Sequence, residues 1–303
     1  MRILHYTVNT PESGQGHYYR QVALSEAAKK QGHGIWLMSE RNNFTARESE
    51  LSFVHAMAVE TSPDWVVIDL PGEVQPVFFN IAQRLDIKTC VIDGIGHPAT
   101  DAEADIVVSQ GFDTGRDGYG FPDYLLLRKE VFEHEWDTGY KLRGKVEPNI
   151  PIFVFGGAAD GMGLLPYVQA AMPHRCLRLA ITPHTQCDKL RTVWNHDTLA
   201  CAGAEIFNHM ENPQFAICAM GVSVLELCAI GVPTYVFSIT ARHLDTALNL
   251  HKEGYIKAFP RVGLPETVEE FLAFVDGGFV AGKRLGNGGP GRVLGLMEDY
   301  NVL

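Results

Sequence analysis

The sequence predicts an α/β protein built from two doubly wound parallel-sheet domains. Three observations carry that prediction. Near-continuous apolar runs alternate with helical patterns, a charged stretch without a strand pattern interrupts them near the middle, and 303 residues are enough for two domains that each bury a core. In the first half the runs are "RILHYTV" (2–8), "GIWLM" (34–38), "DWVVIDL" (64–70), "KTCVIDG" (88–94), "ADIVVSQ" (104–110) and "YLLL" (124–127). Each is followed by a turn or a helix, so each reads as a strand covered on both faces. The stretch "RKEVFEHEWDTGYKLRGKVEPN" (128–149), which runs into Pro148 and Pro151, reads as a linker. A second series follows: "PIFVFGG" (151–157), "CLRLAIT" (176–182), "AEIFNH" (204–209), "QFAICAMG" (214–221) and "VPTYVFS" (232–238). "ETVEEFLAFVDG" (266–277) has the pattern of an amphipathic helix, and "GRVLGLMEDY" (291–300) is a candidate final one. The expected domains are therefore 1–140 and 150–303, with the last helix a candidate to pack back on the first.

Composition narrows the function classes. The formal net charge of −11 at pH 7 argues against a non-specific nucleic-acid or anionic-membrane surface, which needs clustered Lys and Arg. The six cysteines form no CxxC pair, and at least two of them fall in apolar runs, which suits a reduced compartment. No run reaches the roughly 18 apolar residues of a membrane span, and "MRILHYTV" turns polar too quickly for a signal peptide. The expectation is a cytoplasmic protein.

The chemistry-bearing residues cluster at strand-to-helix turns. Gly14 and Gly16 follow the first strand and open a helix with apolar Val22, Ala23, Ala27 and Ala28 at helical spacing. In an open parallel sheet this loop lies at the ligand-binding edge. Glycines there let backbone approach a ligand, and the free N–H groups of a first helical turn favour an anion. Tyr19 occupies the place of the third glycine of the dinucleotide fingerprint, which argues against a nicotinamide site. His17 is a candidate general base at this turn, the alternative being a local cap. Arg20, one turn later, is placed to pair with a phosphate or a carboxylate.

The second half has its own turns. Gly156 and Gly157 in "FVFGGAADGMG" (153–163) suit a phosphate-touching loop or a plain turn. In "AICAMGVSVLELCAIGVPTYVFS" (216–238) a strand runs into Gly221 and Ser223 at a helix start, and Gly231 and Pro233 end that helix. Backbone N–H groups near Ser223 can hold a diphosphate, and Glu226, in an otherwise apolar helix, must be paired or face a cleft. Asp69 and Asp93 end the strands "VVID" and "CVID", where acceptor-side or catalytic carboxylates fall, and His97 in "GIGHP" is placed on the same rim. No HExxH or Cys/His spacing indicates a metal, and no G-x-S-x-G elbow is present.

These segments resemble a known group. "GQGHYYRQVALSEAAKKQGH" is similar to the G-x-G-H-x-x-R loop and first helix of nucleotide-sugar enzymes of the glycosyltransferase B fold. "FGGAADG" resembles their FGG loop, and "MGVSVLELCAIGVPTYVFS" their G-x-S-x-x-x-E-x-x-x-x-G-x-P segment. Within that fold they resemble the spore-coat polysaccharide glycosyltransferases and the UDP-sugar hydrolase of pseudaminic acid synthesis, and more distantly the lipid II N-acetylglucosaminyltransferase. The resemblance implies two Rossmann-like domains facing across a cleft. It puts the donor diphosphate at Gly221, Val222, Ser223 and Val224, the ribose at Glu226, and His17 as base toward an acceptor hydroxyl or water, with no metal and no cofactor besides the donor, a UDP-linked sugar. The acceptor implied is a glycan, lipid-linked or other hydroxyl, nucleic acid being disfavoured by the acidic surface.

Two departures stand out. "AAD" moves the acid that relatives carry directly after FGG-Ser to Asp160, and Arg242, His243 and Thr246 stand in a stretch where relatives have Gln and Asn, which makes Arg242 and His243 candidate donor-side residues. "GNGGPGRVL" (286–294) loosely resembles the G-x-G-x-x-R-I/V segment of the hydrolase group. The expected function is metal-independent glycosyl transfer. The alternatives are a nucleotide-sugar hydrolase using water at the same site and an inactive nucleotide-sugar binding protein.

Overall fold

A computed structural model describes residues 1–8, 16–40, 61–70, 74, 76–93, 103–111, 118–133, 152–156, 160, 162–172, 177–182, 200–201, 215–277, 284–286 and 288–300. The chain divides into two units, Met1–Arg128 with Gly286–Leu303, and Lys129–Leu285.

The first unit carries β1 (Arg2–Val8), α1 (Gly16–Lys30), β2 (Gly34–Glu40), β3 (Trp65–Asp69), α2 (Pro76–Arg84), β4 (Lys88–Asp93) and β5 (Ile106–Ser109). The strands form one parallel sheet in the order β2-β1-β3-β4-β5. Alternation along each strand splits the core in two. Leu4, Tyr6, Val66, Ile68 and Val91 pack on α2 through Phe78, Phe79 and Ala82. Ile3, Trp65, Val67, Cys90 and Ile92 face α1. Burial on both faces explains why these strands read as unbroken apolar runs.

The second unit begins with the short α3 (Glu130–Glu133) inside the expected linker and continues with β6 (Ile152–Phe155), α4 (Leu164–Ala171), β7 (Leu177–Thr182), β8 (Ala200–Cys201), β9 (Phe215–Ala219), α5 (Val222–Ile230), β10 (Thr234–Ser238), α6 (Ala241–Lys252), β11 (Lys257–Val262) and α7 (Val268–Asp276). Its strands are also parallel, in the order β11-β10-β9-β6-β7-β8. Ile152, Val154, Phe215, Ile217 and Phe237 pack on Leu165 and Val168 of α4 and Phe271 of α7. Helix α5 stops where Gly231 turns left-handed (φ 86°) and its N–H reaches back to the carbonyls of Leu227 and Cys228. Arg284 packs against the same glycine, so a Cβ there would lie 2.9 Å from Nε.

The last helix, α8 (Gly289–Tyr300), belongs to the first unit. Val293, Leu294 and Met297 are fully buried against the α1 face of the first sheet, each stabilising by roughly 1.5–3 kcal/mol relative to exposure. Arg292 of this helix donates from Nε to the carbonyl of Asp123 at 2.5 Å.

One expected strand is absent. Tyr124–Leu127 forms no strand, because its backbone is held by a side chain: Gln110 donates to the Tyr124 carbonyl at 3.2 Å and accepts from the Leu126 N–H at 2.8 Å. The segment 204–209 lies outside the described residues.

Candidate active site

In the first unit the strand order reverses between β1 and β3, since the chain runs outward from β1 to β2 and returns on the other side. In open α/β sheets such a switch point, at the carboxyl ends of the strands, is the usual ligand site. Helix α1 opens there with Gly16 and His17, and Asp69 ends β3.

Three candidates meet at this point. His17 Nδ1 lies 2.6 Å from Asp69 Oδ1, across 52 residues of sequence. Arg20 grips the same carboxylate twice, Nε to Oδ2 at 2.9 Å and Nη2 to Oδ1 at 2.6 Å. Asp69 is 0% exposed, Arg20 5% and His17 18%, so the pair is buried and the imidazole reaches the surface. Burial would push the Asp69 carboxyl up, but the Arg20 guanidinium and His17 outweigh it and hold it below the ordinary carboxylate range. An ionised carboxylate can only accept, so the hydrogen between it and His17 sits on Nδ1. Nε2 is then the basic nitrogen, held in one orientation. Asp69 is neither solvated nor a helix cap. Arg20 is taken by this carboxylate.

Sequence reasoning missed the polar layer beneath. The buried face of α1 is Arg20, Gln21, Ala23, Leu24, Ser25 and Ala28, whereas Val22 and Ala27 of the expected apolar set are only half-buried. His5 Nδ1 donates to Gln21 Oε1 at 2.5 Å, both residues fully buried. Thr7 stands next to Asp69 in the β1–β3 register. Among the described residues His5 Nε2, Thr7 Oγ1, Gln21 Nε2 and Ser25 Oγ have no hydrogen-bond partner. Polar side chains at alternate positions of an apolar strand, His5 and Thr7 in "RILHYTV", were the available signal.

The second unit reverses its strand order between β6 and β9. Helix α5 starts there behind Gly221, which is extended, exposed and has open space where a Cβ would go. Its N-cap residue, Gly221, brings no side chain to cap it. The Val224 N–H bonds the Gly221 carbonyl at 3.1 Å, which leaves the half-exposed Val222 and Ser223 as the N–H groups of the turn that can meet an anion. Glu226 follows one turn later and is 4% exposed.

The neighbouring turn after β6 is occupied by the protein itself. Asp160 accepts from the N–H groups of Leu164 (2.8 Å) and Leu165 (3.1 Å) at the start of α4. Its carboxyl packs against buried Gly156, where a Cβ would lie 2.3 Å from Oδ1. Burial pushes this carboxyl up to about 6, against the lowering effect of the two N–H bonds.

At the start of α6, Arg242 is exposed and His243 half-buried. The His243 N–H donates to the Thr240 hydroxyl that caps the helix, and burial lowers the pKa of its ring. Gly14, Gly157 and His97 lie outside the described residues, as does the side chain of Asp93, whose backbone ends β4. Among the described residues no helix is long and apolar enough to cross a membrane.

No family model matches the chain, and no curated protein matches it. Solved structures do resemble it. MnaA of S. aureus, in a structure with UDP, superposes with a TM-score of 0.67 at 10% identity, over 100% of this chain and 98% of that one. A UDP-GlcNAc 2-epimerase from Neisseria meningitidis bound to UDP-GlcNAc gives 0.63 at 9% identity, over 99% and 100%. The spinosyn rhamnosyltransferase SpnG gives 0.55 at 13%, over 90% and 89%. At these identities the likeness is one of fold. The chain has two Rossmann-like parallel-sheet α/β domains of the glycosyltransferase B fold, the fold of these nucleotide-sugar enzymes.

Proposed function

We propose that this protein is an enzyme acting on a nucleoside diphosphate sugar, and that its reaction is transfer of the sugar to an acceptor hydroxyl. The observation that carries the reading is the His17 imidazole, bound through Nδ1 to a buried, ionised Asp69 at the switch point of the first sheet. In this account Nε2 takes the acceptor hydroxyl proton while the acceptor oxygen bonds to the anomeric carbon. The bond from that carbon to the diphosphate breaks, and its electron pair leaves on the phosphate oxygen. Asp69 stabilises the imidazolium that forms. The N–H groups of Val222 and Ser223 stabilise the leaving diphosphate, and Glu226 is assigned to the ribose.

Fold neighbours described as holding UDP or UDP-GlcNAc support a UDP-linked substrate. The narrower likeness to spore-coat glycosyltransferases and to the sugar hydrolase rests on sequence motifs alone. A second reading, 2-epimerisation of a UDP-sugar, is favoured by the neighbours described as UDP-GlcNAc 2-epimerases.

The test is incubation with UDP-, GDP-, dTDP- and CMP-sugars, with and without acceptor hydroxyls, followed by identification of nucleotide and sugar products. Nucleotide release that depends on an acceptor supports transfer. Free sugar supports the hydrolase, and an isomerised nucleotide sugar the epimerase. Binding without turnover leaves the inactive binder, and no binding of any donor overturns the reading.

A further inference from the structure

We infer that Arg20 is a positioning residue: by keeping Asp69 an anion it holds the ring proton of His17 on Nδ1 and leaves Nε2 as the basic nitrogen. The inference concerns the same site and takes its functional consequence from the reading of His17 as base.

The argument starts from burial. Asp69 is 0% exposed, and a carboxyl removed from water favours its neutral form. A neutral Asp69 would carry a hydroxyl hydrogen. At 2.6 Å from Nδ1 that hydroxyl would donate to the ring. A neutral imidazole has one ring proton, so that proton would move to Nε2, and Nε2 would become a donor unable to accept one. The same three side chains therefore have two arrangements, and the charge on Asp69 selects between them.

Arg20 decides the selection. Its guanidinium is always charged, is 5% exposed and binds both carboxylate oxygens in the fork geometry that suits a carboxylate. Among the described residues the charged groups that act on Asp69 are Arg20 and His17, both from α1. From β1, Thr7 stands beside it in register and carries no charge. Arg20 Nη2 also lies 2.8 Å from His17 Nδ1. That contact alone would favour the opposite tautomer, because it offers Nδ1 a donor. The carboxylate oxygen, closer and fully charged, requires the proton between itself and the ring. A further consequence is that Arg20, spent on Asp69, is not a phosphate ligand.

The tautomer can be read directly. ¹⁵N-histidine-labelled protein is compared at pH 9, above the ordinary imidazole range, as wild type, Arg20→Lys and Arg20→Gln, with His17→Ala assigning the signals. The expected result is a proton on Nδ1 in wild type and Arg20→Lys, and on Nε2 in Arg20→Gln. If Arg20→Gln does not fold, wild type decides, and a proton on Nε2 there overturns the inference. Retention of the Nδ1 proton in the folded Arg20→Gln variant overturns it as well. On the donor the protein turns over, Arg20→Gln should lower kcat by about 10²-fold or more with little change in KM, and Arg20→Lys should restore most of it. A tautomer that moves while kcat does not would leave the Arg20 assignment standing and remove His17 as the base.

Discussion

His5 is the residue whose setting can be tested without any substrate. Burial pushes its pKa from 6.5 down to about 4, against the raising effect of the Gln21 hydrogen bond. Between those values the unfolded chain binds a proton that the folded one refuses. Stability is therefore fully present above pH 6.5 and is lost as pH falls toward 4, by about 3 kcal/mol in all for such a shift. Asp69 acts in a separate window: its lowered carboxyl contributes stability that is lost as pH falls below 3.8. Replacing both His5 and Gln21 by leucine removes the titrating group and its partner together, which is tolerated better than orphaning one of them. Urea unfolding of this double variant should show a much smaller loss between pH 6.5 and 4.5 than wild type. An equal loss would mean that some other group drives the acid sensitivity. His17, Arg20 and Asp69 were each legible in the sequence as candidates, but their association was not, because 49 and 52 residues separate the partners. That pairing depends on β3 lying next to β1, a fact of strand order that local pattern does not contain.

At the scale of elements, the starts of α4 and α5 look alike in sequence, a strand running into glycine, and differ in what occupies them. Asp160 caps the start of α4, whereas at the start of α5 the N-cap Gly221 itself supplies no side chain. The glycines differ accordingly. A methyl group at Gly156 collides with Asp160, and one at Gly221 meets nothing within 4 Å. Gly156→Ala should destabilise the protein by about 1–3 kcal/mol, and much less once Asp160 is also alanine, because the collision is then gone. Chemical denaturation of the four members of this cycle measures the coupling, and additive effects would refute the packing argument. Gly221→Ala should leave the unfolding free energy within about 0.5 kcal/mol of wild type while weakening binding of a UDP-sugar. Unchanged affinity in a calorimetric titration would move the diphosphate away from α5. Two element assignments show where pattern reading fails. β11 escaped it because Pro260, Arg261 and Val262 of this edge strand are exposed, so no unbroken apolar run marks it. Tyr124–Leu127 gave the opposite error, since buried leucines produce the same signal whether a neighbouring strand or the Gln110 side chain holds their backbone.

For the whole molecule, two parallel sheets each reverse strand order once, and candidate residues lie at both reversals: His17 and Asp69 beside β1 and β3, Asp160 and the Gly221 turn beside β6 and β9. The doubly wound organisation was legible because strands buried on both faces leave continuous apolar runs. The choice among transfer, hydrolysis and epimerisation was not, because each of these reactions begins from a bound nucleoside diphosphate sugar. The central claim is that His17 performs the proton transfer while the second unit holds the nucleotide. The most direct test is the rate of nucleoside diphosphate release from a UDP-sugar, in the presence of acceptor, by wild type and by His17→Ala. The account predicts a kcat lowered by about 10²-fold or more in the variant, with KM for the donor changed only modestly. An unchanged kcat in the folded variant would contradict it.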